Sequence, residues 1–149
     1  MLRLIYLVYK VFLFIVRPIT LGVRVMLIQE GKVLLIRQTY MSGWFMPGGG
    51  LKHGETLEQA ARREAHEEVG AELGKLSLVG AYSSFAEWKS DHNVVFFSDE
   101  FKLSGKSDRE VAEIRWFSLD ALPEGLLPGH RRRLEEYQTG AKSPQFGEW

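Results

Sequence analysis

The chain has 149 residues and balances 19 Lys plus Arg against 19 Asp plus Glu, a formal net charge of zero. That length suits one domain with its own core, and zero charge leaves no overall positive field to gather a nucleic-acid polymer. Cysteine is absent, which excludes disulfides, thiolate metal sites and cysteine nucleophiles.

The first element is MLRLIYLVYKVFLFIVRPIT, apolar except for Arg3, Lys10, Arg17 and the closing Thr20. The three basic residues recur every seven positions and cover about 40° of a helical wheel. Residues 1–18 therefore read as an apolar helix with a thin basic stripe, stopped near Pro18. As a helix, residues 2–19 reach roughly 27 Å against a bilayer core of ~30 Å, so the length sits at the margin for crossing. The other fates are packing on the domain, contact with a second copy, or contact with a membrane surface. No small-x-small cleavage site follows the run, which argues against a removed leader.

From Thr20 the pattern changes to short strands. TLGVRVMLIQ, a turn at Glu30-Gly31-Lys32 and VLLIRQ predict a hairpin. The glycine-rich run MSGWFMPGGGLKHGE follows. A helix is then expected between an N-cap at Thr56 and a C′ glycine at Gly70. Later strands are expected near Ser77–Ser84, Val94–Leu103 and Ile114–Phe117, with a turn around Ser104-Gly105-Lys106-Ser107 and a last helix over Gly129–Tyr137. These elements predict a mixed sheet flanked by helices, an α/β/α layered domain over residues 19–149.

The helix from Thr56 carries the chemistry. Glu64 pairs at i,i+3 with Glu67 and at i,i+4 with Glu68, so the three can converge on one side. Leu57, Ala61, Ala65 and Val69 form the apolar stripe, and Glu68 falls among them, which predicts partial burial. Clustered carboxylates repel, and a partly buried one is costly unless paired. A divalent cation offsets both, and oxygen-only ligands favour Mg²⁺ or Mn²⁺ over Zn²⁺. The competing interpretation is an ion-pair-laced surface helix, with Arg62 or Arg63 pairing to Glu55. In the preceding loop, Gly48, Gly49 and Gly50 allow the backbone to approach a ligand, and their amides can face phosphate oxygens.

Gly49-x5-Glu55-x7-Arg63-Glu64-Ala65-x-Glu67-Glu68-x-Gly70-Ala71 resembles the Nudix box, and Trp44-Phe45-Met46-Pro47-Gly48-Gly49 resembles its lead-in. Ala65 and Ala71 stand where the family more often has larger aliphatics, a departure in packing only. The resemblance covers Thr20 to Tyr137 and leaves the N-terminal helix outside. It implies a Nudix-type α/β/α sandwich of the MutT-like kind and Mg²⁺-dependent hydrolysis of a nucleoside diphosphate linked to another group. It also implies Glu64, Glu67 and Glu68 as metal carboxylates, with Glu67 and Glu68 the principal pair, a metal contribution from the Gly49 carbonyl, and Arg63 with Glu55 holding the loop to the helix. For the general base it leaves two sources open, a box glutamate or one from a later loop; Glu110 is preferred here over Glu113.

On the substrate side His53 can touch phosphate, Arg37 or Tyr40 can meet the nucleoside, and Phe85 or Trp88 can stack on a base. Each of these also reads as ordinary packing or surface, as does His92, and His66 reads as an exposed helix histidine. The segment SSFAEWKSD lacks the proline of the ADP-ribose subgroup, and no NADH or coenzyme A motif is visible, so a nucleoside triphosphate, ordinary or oxidised, remains by elimination. The run His130-Arg131-Arg132-Arg133 reads as a solvated face, with phosphate or anionic lipid as the alternative. The second interpretation of the whole chain is a nucleotide sensor or interaction domain with little turnover. A cytoplasmic protein is expected, with membrane association through residues 1–18 as the variant.

Overall fold

The computed structural model describes residues 2–105 and 107–149, with side chains from residue 8 onward. Lys106 of the expected turn and the Arg3 side chain of the basic stripe lie outside the described residues.

Helix α1 spans Leu2–Val16. It stops because Arg17 takes a left-handed φ of 45° and Pro18 follows. Among its described side chains Leu13 is buried, while Val8, Tyr9, Val11, Phe12, Phe14, Ile15 and Val16 are each at least half exposed. Its last turn meets the 3-10 turn Ala86–Trp88, where Phe14 and Trp88 lie edge to face at 5.2 Å. Among the described side chains of α1, the ring contact with the domain lies at that end. At fifteen residues the helix is about 22 Å long. Among the described residues no helix is long and apolar enough to cross a membrane, which corrects the marginal spanning estimate.

The hairpin forms as expected. Strands β1 (Ile19–Gln29) and β2 (Lys32–Gln38) are joined by Glu30 and Gly31, both at positive φ, the conformation of a type I′ turn. They pair only near the turn, at Ile28↔Val33 and Gln29↔Lys32, and then diverge. The gap on β1 is filled by β3 (Gly48–Gly50), antiparallel to Gly22–Arg24. A Cβ on Gly48 would collide with the Val23 carbonyl, and its φ is 151°, so this close approach requires glycine. The sheet's split thus carries the glycine run to the foot of helix α2.

Helix α2 (Leu57–Val69) has Thr56 as its N-cap in a capping box with Gln59, and Gly70 closes it in the left-handed region. Ala60, Ala61, Ala65 and Val69 bury against Val23, Val25, Leu27, Leu34 and Ile36 on one face of the sheet. Strand β4 (Ala71–Leu73) follows, then β5 (Ser77–Ser84). The strand expected over Val94–Leu103 is two: β6 (Ser90–Ser98) in the main sheet and β7 (Phe101–Leu103) paired with β4 in a separate ribbon. The chain leaves the main sheet at Asp99 and Glu100, where apolar alternation is lost. Strand β8 (Val111–Ser118) is longer than expected. Helix α3 (Pro128–Gln138) matches within a residue at each end, and β9 (Gln145–Glu148) was unforeseen.

The main sheet runs β8-β2-β1-β6-β5-β9 with β3 on β1. β1–β6 and β5–β9 are parallel and the other pairs antiparallel, a mixed sheet. On its second face Met26, Ile28, Val33 and Leu35 pack with Leu134 of α3. With α2 and α3 on opposite faces the architecture is an α/β/α sandwich.

Candidate active site

The site lies where β3 meets α2. Glu68 is 8% exposed. Its Oε2 accepts from the Gly48 amide at 2.7 Å, and its Oε1 accepts from Gln38 Nε2 at 3.3 Å. Burial pushes its carboxyl up to about 7, partly opposed by the Gly48 hydrogen bond. Glu64 is wedged against the glycine strand: a Cβ on Gly49 would fall 2.6–2.9 Å from its carboxylate. Gly49 thus presents its bare Cα to Glu64, while its carbonyl lies toward Gly22. Gly50's carbonyl accepts from Arg63 Nη2 at 3.0 Å.

Arg63 organises the remainder. It bonds both oxygens of Glu55, at 2.7 and 2.9 Å, and places Nη1 at 2.6 Å from Glu64 and 3.1 Å from Glu67. The Glu55 bonds raise the Arg63 pKa above its ordinary value. The same bonds, with the Lys52 amide second, hold Glu55 down to about 2. Arg63, not Arg62, is therefore the partner of Glu55; Arg62 pairs with Glu58 and the carbonyls of Leu73 and Gly74. Glu67 is half-exposed and also faces Lys52 Nζ at 3.5 Å.

The expected convergence of the three carboxylates is not seen. Among the described residues no group of three acidic or histidine side chains forms a ready cage. Glu64 and Glu67 turn to Arg63, and Glu68 turns inward to Gly48. The Arg63 guanidinium draws Glu64 and Glu67, while the Gly48 amide and Gln38 hold Glu68. In kind they still fit a hard divalent ion. The donors are all oxygen, Glu64 fills a cradle that any side chain at residue 49 would block, and Glu55, Glu64, Glu67 and Glu68 outnumber the nearby Arg24, Arg63 and Lys52.

Three contributors were missed from the sequence. Arg24 of β1 donates Nη1 to the Gly48 carbonyl at 2.9 Å and lies in the fields of Glu68, Asp91 and Glu64. Burial lowers its pKa, and its Nε has no acceptor among the described residues. A lone arginine inside the apolar run VRVMLI was the available signal. Gln38, closing β2, and Lys52 carried none.

The loop before β8 is tied to the end of α2: the Ser104 amide donates to the Gly70 carbonyl and the Asp108 amide to the Glu67 carbonyl, each at 2.8 Å. Glu110 is exposed, and its carbonyl accepts from the Thr39 amide at 2.9 Å. Desolvation, then the charges of Glu110, Glu68 and Glu64, push the neighbouring Tyr40 phenol up. Glu113 is tied to Arg37 at 3.6 Å and to Arg115. Arg37 also stacks over Trp44 at 4.7 Å. His53 lies exposed between β3 and α2, and His66 is exposed on α2. His92 meets Ser83 across β5 and β6 at 2.9 Å. Phe85 is exposed, and Trp88 leans on Phe14 rather than on the box.

The run on α3 is a solvated face only in part: Arg132 is exposed, but the two ends of the run turn inward. His130 and Arg133 are 2% and 3% exposed. His130 Nδ1 accepts from the Met46 amide at 3.1 Å, and Arg133 bonds the Glu148 carbonyl and Glu136 beneath Tyr82. Trp149 and β9 cover both, and one of Arg133's partners, the Glu148 carbonyl, comes from that C-terminal strand, which the sequence did not reveal.

The model of the NUDIX domain family matches residues 18–137, and the chain belongs to that family. It is a pyrophosphohydrolase of nucleotide-linked substrates. Among its relatives, a "Putative 8-oxo-dGTP diphosphatase" of Bacillus subtilis (strain 168) is 27% identical over 124 residues, 83% of each chain. An ADP-ribose pyrophosphatase of Methanocaldococcus jannaschii is 32% identical over 73% of this chain and 67% of its own. Other relatives are longer: the chain spans 38% of the NAD-capped RNA hydrolase NudC of Pseudomonas aeruginosa. The crystal structure of a MutT NUDIX hydrolase from Burkholderia pseudomallei superposes with a TM-score of 0.71 at 26% identity, covering 78% of this chain and 96% of that one.

Proposed function

We propose that residues 19–149 form a Nudix domain that hydrolyses a pyrophosphate bond of a nucleoside triphosphate, ordinary or oxidised, in the cytoplasm. Mg²⁺, replaceable by Mn²⁺, is held by Glu64, Glu67 and Glu68 with the Gly49 carbonyl. The observation that carries this is Glu68, a buried carboxylate tied to the glycine strand at Gly48, beside a Glu64 seated in the space Gly49 leaves.

Bound there, Mg²⁺ supplies positive charge for the pyrophosphate oxygens and acidity for the attacking water. The chain's own residues do the rest. Arg63 and Glu55 clamp the loop to the helix so that the carboxylates hold their places. The backbone at Gly48 and Gly50 and the imidazole of His53 line the phosphate path. Arg37, Phe85 and Trp88 are the groups assigned to the nucleoside. Water attacks phosphorus as the anhydride oxygen leaves with the departing phosphate, and a carboxylate takes the water's proton. Glu110 is assigned that proton, because its loop is anchored to α2 at Gly70 and Glu67 while Glu113 is held by two arginines. Similarity to the Bacillus relative supports a triphosphate, and similarity to the Methanocaldococcus relative supports ADP-ribose as the competing substrate.

The test is product release with Mg²⁺ across nucleoside triphosphates, oxidised triphosphates, nucleotide sugars and ADP-ribose. A triphosphate should exceed ADP-ribose in kcat/KM by about tenfold or more, a modest difference in transition-state binding. A preference for ADP-ribose overturns the triphosphate assignment.

A further inference from the structure

Where β1 and β2 diverge, the chain crosses from one to the other in two residues. Phe45 still belongs to β2, exchanging both backbone bonds with Ile36 at 2.9 Å. Gly48 already belongs to β1, opposite Arg24. Met46 and Pro47 stand between. Proline has no N–H, and the Pro47 carbonyl accepts from the Val25 amide at 2.8 Å. The Met46 amide is therefore the one backbone donor of the crossing, and it has no backbone acceptor among the described residues. It donates to His130 Nδ1 at 3.1 Å, in a place where Met46 is fully buried and His130 is 2% exposed.

Because Nδ1 accepts, the imidazole is neutral with its proton on Nε2. The ring is held edge to face by Phe45 at 5.6 Å and by Trp149 at 4.9 Å. Trp149 reaches it because Gly129 leaves room: a Cβ there would fall 2.3 Å from the indole Nε1. An apolar side chain at residue 130 would fill the same space and bury the Met46 N–H without an acceptor.

We infer that His130 is a positioning residue of the hydrolysis: from the far face of the sheet it sets where the glycine strand enters the site. The inference rests on the cation site proposed above, in which Gly49 supplies a carbonyl. Little slack separates Met46 from that carbonyl. A Cβ on Gly48 would fall 2.1 Å from the Val23 carbonyl, and one on Gly49 would fall 2.6 Å from the Glu64 carboxylate. Gly48 gives its amide to Glu68 and its carbonyl to Arg24. Freeing the Met46 amide releases the anchor two residues before Gly48, so the Gly49 carbonyl and the Glu68 hydrogen bond move together.

The test uses the full chain and three readouts: turnover per folded molecule on the best of the substrates named above, Mn²⁺ affinity by electron paramagnetic resonance, and hydrogen exchange of the Gly48 amide relative to the β6 amides. His130→Leu keeps the bulk and removes the acceptor. His130→Asn keeps an acceptor, because its Oδ1 can stand where Nδ1 stands. Leu134→Ala opens a core cavity on the same helix and leaves the bond alone. His130→Leu should lower kcat and Mn²⁺ affinity by roughly 10–100-fold each, the loss expected when a ligand's support is displaced, and should speed Gly48 exchange selectively. His130→Asn should recover most of all three losses. Leu134→Ala should melt earlier yet keep kcat and Mn²⁺ affinity.

A His130→Leu protein with the turnover and Mn²⁺ affinity of the unmutated chain overturns the inference. So does a folded His130→Asn protein no better than the leucine variant, or a Leu134→Ala protein that loses as much. Should His130→Leu not fold, the contrast is between His130→Asn and His130→Gln, whose amide stands near Nε2 instead; the glutamine protein should lose what the asparagine protein keeps, and equal behaviour of the two overturns the inference. An unmutated chain with neither turnover nor Mn²⁺ binding overturns the cation site itself, whereas a working site indifferent to residue 130 overturns only the role of His130.

Discussion

Helices α2 and α3 lie on opposite faces of one sheet and carry similarly charge-dense runs, RREAHEEV and HRRRLEEY. On α3 the buried polar groups find partners at close range: Arg133 bonds the Glu136 carboxylate and the Glu148 carbonyl, and the neutral His130 ring accepts from the Met46 amide. On α2, Arg63 is shared among three carboxylates, and Glu68 is buried with neutral donors as its hydrogen-bond partners. Both helices bury charge. The difference is the surplus, because unmatched negative charge at the end of a glycine strand can receive a cation, whereas an arginine paired with Glu136 and the Glu148 carbonyl holds only the fold.

The largest expected effect breaks the α2 side. Glu67→Gln should lower kcat by about 10³-fold, the loss of several kcal/mol of charge stabilisation in the transition state. Its melting temperature should hardly change, because Glu67 is half-exposed; turnover and thermal melts on the same sample check both. Arg133→Ala should do the reverse. It removes a buried donor from two acceptors at a cost of about 3 kcal/mol, read by denaturant unfolding, while turnover per folded molecule stays put.

Gly49→Ala pushes a methyl into the Glu64 carboxylate, so Mg²⁺ affinity should fall by roughly 10–100-fold, as for a disturbed ligand support. Calorimetric titration with Mg²⁺ reads this directly.

The smallest effects sharpen the comparison through opposite signs with pH. Glu68, raised to about 7, binds a proton in the folded metal-free chain that the unfolded chain releases near its ordinary 4.5. Its contribution is most favourable below that value and is lost as pH climbs through 7. Glu68→Gln should accordingly stabilise the metal-free chain at pH 8 by about 2 kcal/mol. His130 is lowered well below its ordinary value, by burial first and by Arg24 second. Its contribution is present above pH ~6.5 and lost as pH falls toward the folded-state value. Melts of unmutated and His130→Gln protein between neutral and mildly acid pH should show the decline flattened in the variant.

Much of the site was legible because its constraints are local. Thr56, the Ala61–Ala65–Val69 stripe and Gly70 fix α2, and the i,i+3 and i,i+4 spacing fixes where Glu64, Glu67 and Glu68 emerge. Burial of Glu68 followed from the same wheel, whereas the wheel left Arg62 or Arg63 for Glu55 and the resemblance to the Nudix box implied Arg63. What depends on distant chain did not show. Arg24 reaches Gly48 because β3 replaces β2 beside β1, and His130 and Arg133 are buried because Trp149 and β9 fold over them. The split of Val94–Leu103 into two strands reflects pairing of Phe101–Leu103 with Ala71–Leu73, a ribbon whose partners are remote in sequence. The carboxylates' separation around Arg63 is likewise a matter of charge balance in three dimensions, beyond the spacing of one helix.

The central claim is that the α2 carboxylates form a divalent-cation site. Its most direct test is a Mn²⁺ titration followed by electron paramagnetic resonance, without nucleotide, on the unmutated chain and on Glu67→Gln. Saturable Mn²⁺ binding that Glu67→Gln weakens strongly, and that Mg²⁺ displaces, is the predicted result. Binding of equal strength in both proteins, or none in either, would contradict the claim.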